Sequence, residues 1–296
     1  FYLYYGDIAE IRGEWNDALK YFERSHTFPG VDGKTSAMAY IKYGEILYRK
    51  GEVKESLKYF EGGCERCKKI DYQIGIARSI NNIGLVLEIE GNLSKALEKH
   101  QESLKIRKEI GDKSGIATSL NNIGFVLRKK GDLDSALKKY QESLKIEEEI
   151  GHKSGIATSL NNIGFVLRKK GDLDSALKKY QESLKIEEEI GHKSGIATSL
   201  NNIGFVLNTK GDLDGALKKY QESLKIGEEI GDKSRIAASL HNIGTIYFDH
   251  EDYNLALFNL FQSKALQNQM GIKEQETSDY IFKVCKELGR KKIEAL

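Results

Sequence analysis

A long stretch of this sequence recurs without a single change 40 residues further along the chain. Residues 113–167 are identical to residues 153–207, and looser copies of the same unit extend on both sides. A fixed period of this size is typical of stacked repeat proteins, in which each unit contacts only its neighbours. Such a stack is not bound by the size limit of a single hydrophobic core. All 296 residues can therefore belong to one array.

Each unit contains two amphipathic helices separated by a Gly-Asp pair. In the unit Asp112–Gly151, apolar residues at helical spacing predict helix A over Ser114–Lys130 and helix B over Asp132–Ile150. Gly131 suits the left-handed position that ends helix A, and an aspartate follows it as the N-cap of helix B. Helix A is opened by an aspartate in this unit and by the poorer cap His152 in the next.

Small residues recur at fixed places on both helices. Gly124 lies on helix A, Ala136 and Ser143 lie on helix B, and the aromatic Tyr140 stands beside them. A glycine inside a helix costs about 1 kcal/mol relative to alanine. Its recurrence therefore indicates that helices A and B approach closely here. The counterparts of this glycine are Gly6, Gly44, Gly84, Gly164, Gly204 and Gly244.

This set of small and aromatic positions, with Leu120, Ile123 and Leu127 on helix A, resembles the tetratricopeptide repeat (TPR). The 40-residue period is similar to the longer repeats of kinesin light chains, Pins-type polarity scaffolds and bacterial regulatory arrays. It departs from the commoner 34-residue period, and the family's frequent proline after helix B is absent. HEAT repeats have a similar period, but the recurring glycine favours TPR. The resemblance implies an all-α, right-handed α-solenoid of antiparallel helix pairs.

We expect one array over residues 1–296, closed by a capping helix at 273–288. The predicted repeats are about 1–34, 35–70, 71–110, 111–150, 151–190, 191–230 and 231–270. Residues Arg290–Leu296 are predicted to start a further helix B. Because the chain starts inside one repeat and stops inside another, we expect a fragment of a longer protein. Identical neighbouring repeats indicate recent duplication or engineering, and the sequence leaves both open.

The composition narrows the classes of partner. Lys and Arg total 46 and Asp and Glu total 44, which argues against a nucleic-acid-binding protein with its usual basic excess. No apolar run approaches the roughly 20 residues needed to cross a bilayer, so no membrane partner is expected. Three cysteines fit a reducing, cytoplasmic compartment better than a disulfide framework.

Catalytic and metal-binding motifs are not found. The sequence contains no phosphate-binding GxxxxGK[ST] loop, no HExxH, no GxSxG and no Cys/His pair at ligand spacing. Cys64 and Cys67 form a lone CxxC inside a predicted helix, whereas a structural zinc site would need a second pair. We therefore expect no enzyme activity, no cofactor and no metal.

A stripe of polar and aromatic residues follows the core face of helix A. The resemblance implies that positions such as Asn121 and Phe125 line the concave surface and that the asparagines bind the backbone of an extended peptide. Arg128 would favour an acidic partner, and Asn122 could instead bond a neighbouring helix. The predicted peptide-binding residues are Asn81, Asn121, Asn161, Asn201, His241, Phe125, Phe165, Phe205, Arg128 and Arg168.

Three functions remain open on this basis. The first is a non-enzymatic scaffold that binds a peptide segment of a partner protein in its groove. The second is a ligand-sensing regulatory segment of a larger signalling protein. The third is an array whose open ends associate with one another.

Overall fold

The computed structural model describes the backbone of residues 1–272 and 275–294, with the side chains of 291–294 left out. The chain divides into two compact units, unit 1 over Phe1–Gly151 and unit 2 over His152–Leu296. Helices joined by short connections make up the described part of both units, and their packing is that of an all-α repeat solenoid.

Unit 1 consists of helix pairs in which the odd-numbered helix is helix A and the even-numbered helix is helix B. They are α1 (Tyr2–Ile11), α2 (Trp15–Thr27), α3 (Gly33–Arg49), α4 (Val53–Lys69), α5 (Gln73–Ile89), α6 (Leu93–Glu109), α7 (Lys113–Lys129) and α8 (Leu133–Glu149).

Unit 2 continues the same alternation and ends on a helix A without a following partner in the described residues. Its helices are α9 (Lys153–Lys169), α10 (Leu173–Glu189), α11 (Lys193–Thr209), α12 (Leu213–Ile230), α13 (Lys233–Asp249), α14 (Tyr253–Gln269) and α15 (Gln275–Glu294).

The predicted helices agree with the observed ones to within a residue in the central unit, where α7 and α8 take the places of helices A and B. The last helix is the exception. The predicted capping helix began at 273, which lies outside the described residues, and α15 runs past 288 as far as Glu294. The prediction that a further helix B starts at Arg290 is therefore wrong, because that residue continues α15. Residues 295 and 296 lie outside the described residues.

The residues at the helix ends explain where each helix starts and stops. Gly131 has a φ of +86°, the left-handed conformation that glycine adopts without strain. The Asp132 side chain accepts a hydrogen bond from the Ser135 backbone N–H at 3.1 Å. Asp112 caps α7 through the Gly115 N–H at 2.9 Å, whereas His152 makes no side-chain capping hydrogen bond to α9. The difference in capping between aspartate and histidine is therefore confirmed.

The recurring glycine and tyrosine form the contact between helix A and helix B. Tyr180 is fully buried, and a Cβ atom added to Gly164 would lie 2.8 Å from its ring. Ser183 donates to the Ala157 carbonyl at 2.9 Å, so the small residue on helix B also binds the backbone of helix A. Only a residue without a side chain lets the two helices come this close.

Contacts between successive helices place the A helices on one side of each unit. In unit 1, α3 contacts α1 and α5, and α5 contacts α7; in unit 2, α11 contacts α9 and α13, and α13 contacts α15. Among the described residues of either unit, no helix B contacts another helix B. The A helices are thus the more closely spaced layer. We call the surface of the A helices that points away from the B helices the inner face.

An acidic and a basic side chain pair at the turn from helix B to the next helix A, and their order reverses along the chain. In unit 1, Arg107 at the end of α6 lies 4.0 Å from the cap Asp112. In unit 2, Glu187 occupies the equivalent place at the end of α10, is only 3% exposed, and lies 2.7 Å from His192. The side chains fit because glycine opens the next helix, Gly195 in the second case.

Substitution of Gly164 by valine should destabilise the fold by about 2 kcal/mol, because the new side chain overlaps the Tyr180 ring. Urea unfolding followed by circular dichroism measures the effect as a lower midpoint. Gly289→Ala in α15 is the matched control, because no atom lies within 4 Å of its added Cβ. An unchanged midpoint for Gly164→Val would contradict the close packing.

Replacement of one member of this pair should be costly, and exchange of both should not. Glu187→Arg alone places a guanidinium in a buried position facing His192, with an expected loss of about 3 kcal/mol. Glu187→Arg combined with His192→Asp recreates the pair seen in unit 1 and should recover most of this loss in urea unfolding. Equal destabilisation of the single and double variants would show that the pairing is not needed.

Candidate functional site

The first asparagine of each Asn-Asn pair binds inward, between helices. Asn161 donates from Nδ2 to Ser183 Oγ at 2.5 Å and to Ser199 Oγ at 3.0 Å. Its Oδ1 accepts from Asn202 Nδ2, on the next helix A, at 3.2 Å. The amide of Asn161 is therefore engaged by its own helix B and by the following repeat.

The same connection between A helices recurs in both units. Asn81 accepts from Asn122 Nδ2 at 2.9 Å in unit 1, and Asn201 accepts from Asn242 Nδ2 at 2.9 Å in unit 2. Asn81 is 4% exposed and also faces the buried His100. The alternative that the second asparagine of a pair bonds a neighbouring helix is confirmed.

Asn121 follows the inward pattern through its own helix B. Its Nδ2 donates to Ser143 Oγ at 2.7 Å, and Ser143 in turn donates to the Ala117 carbonyl at 2.9 Å. The asparagines predicted to bind a peptide thus lie between helices. The resemblance placed the first asparagine on the concave surface, and that these residues bind a peptide stays a prediction.

The second asparagine of a pair is half-buried at Asn122, Asn202 and Asn242 and buried at Asn82, and it reaches depressions on the inner face, one of which Asn81 also lines. Asn82 and Asn122 line a depression between α3, α5 and α7, together with Arg78 and Thr118. Asn242 lines a depression between α11, α13 and α15, together with Phe205. Sequence reasoning ranked these residues below their neighbours. The helical spacing alone indicates that the first asparagine faces inward, because Asn121 lies one turn from both Ala117 and Gly124, which face the core.

The predicted phenylalanine and arginine rows meet on the inner face. Arg168 places its guanidinium 4.0 Å from the ring centre of Phe205 on the next helix A and 4.9 Å from that of Phe165. In unit 1, Arg128 lies 4.8 Å from the ring centre of Phe125. These distances are those of cation–π contacts. Phe205 remains 42% exposed, so its ring offers apolar surface to a ligand.

The inner face of the first repeats is instead closed by ion pairs between neighbouring A helices. Lys42 lies 2.7 Å from Asp7, and Arg49 lies 2.7 Å from Glu10. Lys42 and Asp7 occupy the helix positions that carry Asn122 and Phe125 in a later repeat, and Glu10 and Arg49 occupy those of Arg128 and Lys129.

A third pair joins α3 to α5. Arg78 donates two hydrogen bonds of 2.6 Å to Glu45, and Asn82 donates a third at 2.8 Å. Burial would raise the pKa of Glu45, but these hydrogen bonds and the Arg78 charge hold it below its ordinary value. The negative charge of the Glu45 carboxylate is therefore neutralised by the Arg78 guanidinium.

His241 takes the place of the first asparagine in α13 and binds α15. Its Nδ1 lies 3.0 Å from Thr277 Oγ1, which also accepts a hydrogen bond from Gln267 Nε2 at 3.0 Å. Because the Thr277 hydroxyl accepts from Gln267, its own hydrogen is available to His241. The histidine thus keeps the connection between A helices where the amide is absent.

The CxxC pair lies in the core of α4. Cys64 and Cys67 are buried, and burial raises the pKa of Cys67 to about 11. A thiol with so high a pKa is a poor nucleophile and a poor metal ligand at neutral pH. No group of three or more His, Cys, Asp or Glu side chains is placed to hold a metal ion in the residues that the structure describes.

None of the helices in the described part of the chain is both long and apolar enough to traverse a lipid bilayer.

Taken together, the paired antiparallel helices, the glycine–tyrosine contact and the inner face of A helices define a helical-repeat protein. A family model described as tetratricopeptide repeat matches residues 35–109, 115–189 and 195–269. The chain belongs to the tetratricopeptide repeat family. No curated protein matches its sequence.

Several solved structures share the fold at low sequence identity. The apo form of RapI is 17% identical with a TM-score of 0.70, and the match covers 92% of this chain and 98% of that one. A Rap protein complexed with competence and sporulation factor is 14% identical with a TM-score of 0.67, over 93% of this chain and 80% of that one.

A third similar structure is a signal transduction ATPase with a tetratricopeptide repeat sensor, from Pyrococcus horikoshii. It is 16% identical with a TM-score of 0.68, and the match covers 90% of this chain and 41% of that one.

Thiol labelling distinguishes a buried CxxC from a reactive one. At pH 8, Cys285, which is exposed, should react rapidly with a chromogenic disulfide reagent, whereas Cys64 and Cys67 should react only on unfolding. The raised pKa of Cys67 leaves its thiolate scarce at this pH, and burial restricts access to it. A Cys285→Ser variant isolates the pair, and rapid labelling of that variant in its folded state would contradict this assignment.

Proposed function

We propose that this protein is a non-catalytic scaffold that binds an extended segment of a partner protein along the inner face of its A helices. The observation that carries the proposal is the orientation of the second asparagine of each pair. At Asn122, Asn202 and Asn242 the amide is held by an asparagine of the preceding repeat and is half-buried, so part of it is accessible.

Asn202 illustrates the chemistry. One hydrogen of its Nδ2 is directed at Asn161, and its Oδ1 accepts no hydrogen bond from another described residue. An amide has two N–H donors and one carbonyl acceptor. The remaining donor and the acceptor can therefore pair with the C=O and N–H of an extended backbone. Asn122 and Asn242 have the same arrangement.

The spacing of these amides fits an extended chain. Neighbouring packed helices lie about 10 Å apart, and an extended strand rises about 3.3 Å per residue. The bound segment would then advance by about three residues per repeat. Within this proposal, the first asparagines fix the second ones in place and do not contact the ligand.

The phenylalanine and arginine rows would supply side-chain contacts. Phe125, Phe165 and Phe205 offer apolar surface beside the amides, and Arg128 and Arg168 would favour an acidic residue of the partner. Binding of a partner by a structure of this kind has a precedent in the similar Rap protein, which was solved with competence and sporulation factor.

The second candidate function is a ligand-sensing segment of a larger signalling protein. The observation that favours it is the likeness to a signal transduction ATPase in which such repeats form the sensor. The sequence of the reading frame on either side of the chain distinguishes the two. An adjoining ATPase, kinase or DNA-binding domain would support the sensor, and further repeats alone would not.

Removal of these amides should weaken peptide binding while preserving the fold. A display library of random 12-residue peptides is selected on the parent, and the affinity of a selected peptide is measured by fluorescence anisotropy. The variant Asn202→Ala/Asn242→Ala in unit 2 should bind a peptide held by that unit roughly thirtyfold more weakly, since each of the two lost hydrogen bonds contributes about 1 kcal/mol.

The matched control carries two alanines on the exposed stripe of the B helices of the same unit, Lys178→Ala/Lys218→Ala, and should bind as the parent does. Circular dichroism confirms that both variants are folded. Unchanged affinity in the asparagine variant, or failure of the parent to select any peptide, would contradict the proposal.

A further inference from the structure

The aromatic position of helix B is a tyrosine in α8, α10 and α12, but it is a histidine in α6. His100 of α6 is fully buried, and its ring lies against Gly84 of α5, where an added Cβ would lie 2.6 Å from it. The residue one repeat before Arg128 is a carboxylate, Glu88. The third repeat therefore has a glutamate and a histidine where the next repeat has an arginine and a tyrosine.

Both ring nitrogens of His100 face oxygen atoms. Nε2 lies 2.8 Å from Glu88 Oε1, and Nδ1 lies 3.0 Å from Asn81 Oδ1. A neutral imidazole has one N–H donor and one acceptor nitrogen, whereas the imidazolium has two donors. The direction of the Asn81 amide therefore decides which form of the ring fits this position.

The direction of the first asparagine is fixed by a serine in a later repeat. The Ser183 hydroxyl gives its one hydrogen to a backbone carbonyl at 2.9 Å, so it must accept from the amide nitrogen of Asn161 at 2.5 Å. The amide oxygen then faces the next helix A. Asn81 has the same direction, because its oxygen accepts from Asn122 Nδ2 at 2.9 Å. His100 must therefore donate to this oxygen from Nδ1.

The carboxylate requires the same form of the ring. The Glu88 side chain is only 9% exposed, and His100 is its one ion-pair partner among the described residues. A buried carboxylate without a counter-charge is strongly destabilising. Protonation of His100 supplies that charge.

The other charged and titratable groups near the pair do not compete for this proton. Burial raises the pKa of Tyr48 on α3 and, against the opposing charge of Arg128 on α7, raises that of Tyr140 on α8 to about 12. Both phenols therefore stay neutral between about pH 6 and 9, and the guanidinium stays charged. On α6 itself, Lys99 pairs with Glu102 at 2.8 Å.

We propose that His100 is a buried imidazolium whose proton sets the direction of the hydrogen bonds that join α5 to α7. Loss of the proton from Nδ1 would leave two acceptors, Nδ1 and the Asn81 oxygen, facing each other. Rotation of the Asn81 amide would relieve this repulsion, but it would turn the amide nitrogen towards that of Asn122. The bond from Asn122 is then lost, or its amide must rotate as well, which changes the atoms that it presents on the inner face.

The pH dependence of this device follows from proton binding. A histidine of the unfolded chain loses its proton near about pH 6.5, whereas the folded chain holds it between two oxygen atoms. Above that pH the folded state binds one more proton than the unfolded state, so the free energy of unfolding falls as the pH rises. The stabilisation by His100 is thus fully present in mild acid and is lost at alkaline pH.

The next repeat supplies a matched variant for a stability test. It carries Arg128 and Tyr140 at the positions of Glu88 and His100, so Glu88→Arg combined with His100→Tyr introduces a pair that this fold already holds. Urea unfolding of both proteins is followed by circular dichroism between about pH 6 and 9. The unfolding constant of the parent, relative to that of the variant, should rise by up to about tenfold per pH unit. The remaining histidines are common to both proteins, and their effects cancel.

The protonation state itself is measured by NMR on the full chain. Long-range proton–nitrogen spectra of isotope-labelled protein are recorded at about pH 7.5, where an ordinary histidine is mostly neutral. The signals that disappear in the double variant belong to His100, and they should show hydrogen on both ring nitrogens. Glu88→Gln keeps the size of the side chain and removes its charge, so the His100 ring should be neutral in that variant.

Three results would overturn the proposal. They are a neutral His100 ring in the parent at this pH, a ring protonated on both nitrogens in Glu88→Gln, and equal pH dependence of unfolding in the parent and the double variant. The ring whose signals change in Glu88→Gln also identifies His100, so the test stands even if the double variant does not fold. None of these measurements uses a ligand, so they are independent of the scaffold function.

Discussion

The close contact between a glycine of helix A and an aromatic ring of helix B is the constraint on which each repeat depends. Gly164 makes room for Tyr180, and the small residues around the ring let Ser183 reach the backbone of helix A. In a helix pair formed in this way, one face of each helix is buried against the other helix. A second face becomes buried only when the neighbouring repeat packs on it. Stacking is therefore required for stability, as expected of a repeat array.

Hydrogen bonds between the helices add to this contact, and they give the two asparagines of a pair different roles. The side-chain amide of Asn161 forms hydrogen bonds with two serines and with Asn202, so it joins a helix pair to the next repeat. Asn202 is thereby oriented with an acceptor at the surface. In the first repeats, ion pairs such as Arg78–Glu45 take over the connection, and the inner face there is internally neutralised. The chemistry offered to a partner thus differs along the chain.

The helices were predictable because their signals are local: apolar spacing within each helix and the Gly131–Asp132 boundary between them. The roles of the asparagines were not, because Asn121 and Asn122 are adjacent and differ by about 100° around the helix. Which of the two faces a neighbour depends on how the helices rotate against one another, and packing decides this. The hydrogen-bonded pair of Glu187 and His192 also escaped prediction, since its members belong to different elements.

The central claim is that the first asparagine of a pair connects repeats while the second is oriented by it. A double-mutant cycle on Asn161→Ala and Asn202→Ala, measured by urea unfolding, tests this most directly. The account predicts a coupling free energy of about 1 kcal/mol, the contribution of one hydrogen bond between the two amides. Strictly additive losses would show that the two side chains act independently, and would contradict the account.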